Sequence, residues 1–116
     1  MQLTKNLKSE EVTCSCGCGG MPKISFVESL QKLRNACGFP LKINSGFRCE
    51  KQNAYVGGAK ASTHMKGIAA DIGWADMAPE QRHILLLNAT KMFNGVGIHK
   101  NFLHVDERPN RIVFFY

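Results

Sequence analysis

The stretch Ser62-Thr63-His64-Met65-Lys66-Gly67-Ile68-Ala69-Ala70-Asp71-Ile72-Gly73-Trp74 divides into a polar loop and a strand. His64 lies in the loop, between small and polar neighbours. From Ile68 onward the period is two: Ile68, Ala70 and Ile72 share one face, while Ala69, Asp71 and Gly73 share the other. Phe102-Leu103-His104-Val105-Asp106 repeats this pattern, with Leu103 and Val105 on one side and Phe102, His104 and Asp106 on the other. If these two strands lie antiparallel and adjacent, His64, Asp71 and His104 converge. Two imidazoles and one carboxylate would leave a tetrahedral zinc one open position for water.

Around this pair the chain alternates helix and strand signals. Ile24, Phe26, Val27, Leu30, Leu33 and Cys37 recur at helical spacing, with Pro22 before them and Gly38 after. Residues 40–44 alternate like a short strand, and 50–56 read as a short helix before the Gly57-Gly58 turn. Pro79 opens a second long helix, whose apolar positions Ile84, Leu85, Leu86 and Leu87 run on toward Met92 and Phe93. Short strands are expected at 95–99, 102–106 and 111–115. This order predicts an α+β domain, with helices packed on a small, mostly antiparallel sheet.

The chain has 116 residues, a length that predicts a single domain over 1–116. An apolar content of 44% with 21% charged residues excludes a disordered chain. No apolar run approaches the roughly 20 residues a membrane span needs, and the polar first eleven residues hold no signal-peptide core. Lys and Arg exceed Asp and Glu by 15 to 9, a formal +6 that favours anionic partners. The basic residues are scattered singly, so neither nucleic acid nor stable membrane association is expected. Cys37 falls on a helix face as a small core residue. Cys14, Cys16 and Cys18 have one-residue spacers that do not match ordinary zinc fingers. Reduced thiols in a Gly-rich turn, a disulfide pair, and a structural metal involving Cys49 are the readings open for them. Trp74 reads as core or rim packing, Met65 as packing, Tyr55 as cleft lining or a half-buried helix face, and His99 as an exposed histidine.

The pattern Ser-x-His-x-x-Gly-x-Ala-x-Asp at 62–71 resembles the zinc-dependent D-Ala-D-Ala carboxypeptidases and L-alanyl-D-glutamate endopeptidases that cut peptidoglycan stem peptides. That family shares its fold with lysostaphin-type enzymes and the hedgehog domain. The upstream segment Ser45-Gly46-Phe47-Arg48-Cys49, with Asn53, Val56-Gly57-Gly58 and Lys60, is similar to the family's own. So are Gly95-Val96-Gly97 through His104-Val105-Asp106, and the N-terminal Cys-x-Cys-Gly-Cys is similar to a compact, phage-rich subgroup.

The resemblance implies one zinc per chain on His64, Asp71 and His104, with Arg48 near the substrate's carbonyl or carboxylate. A planar guanidinium suits either task. Many family members place a carboxylate three residues before the third ligand, or a histidine two before it. Asn101 and Phe102 stand at those positions here, and neither takes a proton at neutral pH. Asp106 is the replacement candidate, either as the base for a zinc-bound water or as a residue orienting His104 or Arg48. The expected protein is a monomeric zinc peptidase acting on peptidoglycan peptides. Its expected setting is a bacteriophage or prophage endolysin, made in the host cytoplasm and acting on the wall after release. The alternative is a non-catalytic, zinc-containing wall-binding or phage structural module.

Overall fold

The structure, a computed structural model, describes residues 1–116. In chain order the elements are α1 (Ser9–Val12), α2 (Ile24–Cys37), β1 (Lys42–Ser45), α3 (Glu50–Tyr55), β2 (Ala69–Gly73), α4 (Pro79–Met92), β3 (Gly95–Ile98), β4 (Phe102–Asp106) and β5 (Ile112–Phe115). The strands form one sheet in the order β1-β2-β4-β3-β5. The β1–β2, β2–β4 and β4–β3 pairs are antiparallel, and β5 reaches past β4 to pair parallel with β3. The expected α+β architecture with a mostly antiparallel sheet is the one observed. No helix is long and apolar enough to cross a membrane.

Alternation in β2 and β4 sorts their side chains between two faces. Ala70, Ile72, Leu103 and Val105 join a buried cluster with Phe26, Val27, Leu30 and Leu33 of α2 and Leu85 and Ala89 of α4. Phe26 meets Phe93 edge-on, with ring centroids 6.0 Å apart, a favoured aromatic geometry. Asp71 and His104 sit between these core residues in sequence and therefore face away from the helices. The helical layer thus makes the sheet a rigid platform for its polar face.

Helix α2 ends as its sequence predicts: Gly38 adopts φ 78°, and its N–H donates to the Arg34 carbonyl at 3.0 Å. Two apolar assignments differ from expectation. Ile24 is exposed, because at about 100° per residue it lies away from the centre of the Phe26, Leu30, Leu33 and Cys37 face. In α4 only Leu85 and Ala89 are buried, while Ile84, Leu87 and Met92 are exposed. Four consecutive apolar residues sweep most of the helix circumference, so they cannot all reach one sheet. Strand β1 begins at Lys42, two residues later than the alternation indicated, and α1 was not anticipated.

Candidate metal centre

Strand register sets up the site. Asp71 of β2 lies directly across from His104 of β4. His64 arrives from the loop before β2, where Gly67 turns the chain at φ 74° and is itself packed against the Lys23 backbone. The side chains converge: His64 Nε2 lies 3.2 Å and His104 Nδ1 3.0 Å from the same Asp71 Oδ1. The two imidazoles stand 5.1 Å apart between centroids, and all three residues are buried.

The outer ring nitrogens determine what the inner ones can do. His64 Nδ1 lies 2.7 Å from the Gly46 carbonyl, which only accepts, so Nδ1 carries the proton and donates it. His104 Nε2 lies 2.6 Å from Asp106 Oδ2 and donates to that carboxylate. In their neutral forms both histidines therefore turn bare nitrogens toward Asp71 Oδ1. Three electron pairs facing one another in a buried site require a cation among them. All the donor atoms lie within 4.8 Å of one another, and two nitrogens with one oxygen suit zinc. The hydrogen bonds to the outer nitrogens are the usual device for aiming metal-bound imidazoles.

Without metal, the cation is a proton. Burial pushes the His104 imidazole down, but hydrogen bonds and charge from Asp106 and Asp71 outweigh it and raise it above the ordinary 6.5. Burial likewise pushes the Asp71 carboxyl up, and the neighbouring imidazoles, the protonated His104 first, more than reverse this, holding it well below the usual carboxylate range. Asp71 is therefore ionised at any ordinary pH, and a proton on His104 is one that a metal must displace. Zinc affinity should fall by at least about tenfold per pH unit below the raised His104 value. Zinc titrations from pH 5 to 9 check this; an affinity flat over the acidic half would count against the assignment.

Asp106 is fully buried on the far edge of His104. Arg108 grips it, with Nε 2.8 Å from Oδ1 and Nη2 2.6 Å from Oδ2, and the Thr63 hydroxyl donates to Oδ2 at 3.2 Å. Burial raises its carboxyl, but Arg108 first and His104 second hold it well below the usual range. Gly95, opposite Asp106 across β3 and β4, has no room for a side chain: a Cβ there would run into the Asp106 carboxylate. Asp106 touches the imidazole nitrogen turned away from Asp71.

A cleft of about 680 Å³ opens over the three donors, bordered by Arg48, Lys66, Phe102, Arg108, Phe114 and Tyr116. Arg48 donates from its backbone to the His64 carbonyl at 3.3 Å and from Nη2 to Ser62 Oγ at 3.4 Å, while its buried Nε has no partner. A buried unpaired donor is costly; it is the rest of the half-buried Arg48 side chain that borders the cleft. Partial burial, with the charges of Asp71 and Asp106, pushes the Tyr116 hydroxyl up to about 12, so it stays a neutral donor. Asp71 is the only carboxylate on the cleft lining.

His64, Asp71 and His104 are thus brought together, Arg48 is on the cleft wall, and Asp106 is behind His104. Asn101 is exposed, outside the cleft. His99 is half-buried, stacked on Phe102 at 4.4 Å, and Trp74 is buried, donating to the His99 carbonyl at 2.8 Å. Tyr55 is exposed, so it neither lines the cleft nor shares a half-buried face. Arg108 was missed; its signal is its place two residues after Asp106, where the chain leaves β4. The Gly46 carbonyl has no sequence signal, since only the tertiary fold brings it to His64.

A family model described as Peptidase M15 matches residues 4–106, and the chain belongs to that family. Over 45 residues it is 51% identical to the zinc D-Ala-D-Ala carboxypeptidase of Streptomyces albus G. That match covers 38% of this chain and 18% of the relative, so the chain spans only a small part of that protein's length.

Proposed function

We propose that residues 1–116 act as one zinc peptidase domain on peptidoglycan stem peptides. The observation that carries the reading is the set of three bare donors, His64, Asp71 and His104, at the floor of a cleft bordered by Arg48, Lys66 and Arg108. Zinc, when bound, supplies a Lewis acid and a water acidified toward neutrality. The protein's own side chains do the rest. Arg48, whose side chain borders the cleft, offers its guanidinium to a substrate carboxylate or to the charge that develops on the attacked carbonyl. Tyr116 offers a neutral hydroxyl as a second donor. Net positive charge around the cleft favours stem peptides, which carry carboxylates, and the relative's name points to the same substrate class.

In this reading Asp106 positions His104 rather than accepting the water's proton, since a carboxylate so strongly stabilised as an anion is a poor base. Asp106→Asn should weaken zinc binding by about 10–100-fold, with the rate returning to within a few-fold of wild type at saturating zinc. A loss of about a hundredfold or more that persists at full zinc occupancy would make Asp106 the base instead.

The favoured bond is L-alanyl-D-glutamate, because a cut there opens the wall mesh, as a bacteriophage or prophage endolysin must; release of a terminal D-Ala does not. Mass spectrometry of defined stem peptides after incubation distinguishes the two bonds by fragment mass. The scarcity of carboxylates in the cleft favours one second reading, a zinc-containing wall-binding module. Intact peptides alongside a metal-filled site would establish that reading.

A further inference from the structure

A second group of metal-ligand side chains lies outside the cleft: Cys14, Cys16, Cys18 and Cys49, whose sulfurs all fall within 4.8 Å of one another. We propose that these four cysteines form a structural site for a single zinc-type divalent ion, distinct from the histidine–aspartate site. The proposal holds whether or not the cleft hydrolyses peptides.

The spacing selects the occupant. Cys14 Sγ lies 3.4 Å from Cys16 Sγ and 3.7 Å from Cys49 Sγ, and Cys16 and Cys49 are 3.6 Å apart. A tetrahedron with metal–sulfur bonds of about 2.3 Å has edges of about 3.8 Å. A disulfide needs its sulfurs at about 2.0 Å and joins them only in pairs. An iron–sulfur cluster would hold its cysteines further apart, around several metal atoms and bridging sulfides. Three sulfurs 3.4–3.7 Å from one another, with a fourth beside them, match one small ion.

The backbone is shaped for thiolates. N–H groups point at three of the sulfurs: Cys49 to Cys14, Gln52 to Cys49 and Gly20 to Cys18, each at 3.4 Å. Amide donors of this kind stabilise negative charge on sulfur. Gly17, at φ 84°, turns the chain between Cys16 and Cys18, and Gly19, at 82°, turns it again just past Cys18. Those short spacers therefore do not exclude a metal, because the fourth ligand comes from 31 positions beyond Cys18.

The placement gives the site a purpose. Cys49 follows Arg48 directly and lies three residues after Gly46, whose carbonyl orients His64. An ion on these sulfurs would pin the N-terminal arm to the segment that holds both groups. The Phe47 N–H bond to the Val12 carbonyl, at 2.9 Å, already joins the two.

The test uses the full chain, purified in reducing buffer without chelator, with metal counted by native mass spectrometry. Two zinc ions per wild-type chain are expected, and one in the His64→Ala/His104→Ala double variant. Cobalt substituted into that double variant should show a sulfur-to-metal charge-transfer band, which should vanish on adding Cys16→Ser and Cys18→Ser. Should the cysteine variant fail to fold, the wild type still decides: alkylation of these thiols should slow by about tenfold or more when zinc is present. One zinc per wild-type chain, lost with the two histidines, would overturn the proposal. So would four thiols alkylated equally fast with and without zinc, or cysteines recovered as disulfides from the reduced preparation.

Discussion

Asp71→Ala is expected to lower stem-peptide hydrolysis by about three decades or more, since metal polarisation supplies several kcal/mol and each decade is about 1.4 kcal/mol. Asp71 Oδ1 is the atom toward which both His64 Nε2 and His104 Nδ1 point, at 3.2 and 3.0 Å. Without it two neutral imidazoles remain, and two ligands do not make a structural or catalytic zinc site. Asp71→Asn keeps the shape but replaces an anion with a neutral amide, so it should also bind zinc weakly while folding more like the wild type. Zinc affinity and rate are measured together on both variants, with near-ultraviolet circular dichroism as the check on packing. A well-folded Asp71→Asn chain that keeps both its zinc and its rate would remove Asp71 from the site.

Arg48→Ala should cost about 10²–10³ in rate, the usual loss when one donor to a developing oxyanion is removed, while leaving zinc affinity within a few-fold of wild type. The side chain makes one long hydrogen bond, to Ser62 Oγ at 3.4 Å, and borders the cleft. It touches none of the three donor atoms directly, so its loss should appear in turnover rather than in metal content. Arg48→Lys is not expected to rescue the rate, because an ammonium cannot reproduce the planar array of donors. Full activity in the lysine variant would reduce Arg48 to a diffuse positive charge.

The site was legible in sequence to the extent that it is built from short-range periodicity. Alternation in 68–74 and 102–106 puts Asp71 and His104 on polar faces, and the antiparallel pairing that aligns them is the simplest for two such strands. What the sequence could not supply is contact made through the backbone or across unrelated segments. The Gly46 carbonyl that fixes His64 is 18 residues away. The grip of Arg108 on Asp106 depends on the chain bending back as it leaves β4. Apolar count misled in α4, where a run of four apolar residues overstates the buried face. Spacing alone also could not show that the Cys14, Cys16 and Cys18 sulfurs gather with that of Cys49, because that meeting depends on the left-handed turn at Gly17 and on the tertiary fold.

The measurement that tests the central claim most directly is the rate of stem-peptide cleavage as zinc is returned to metal-free protein. The rate should rise in proportion to occupancy of the His64–Asp71–His104 site, and the Asp71→Ala chain should stay flat at the same total zinc. Peptides left intact by wild-type chain whose three donors are shown to hold zinc would contradict the account.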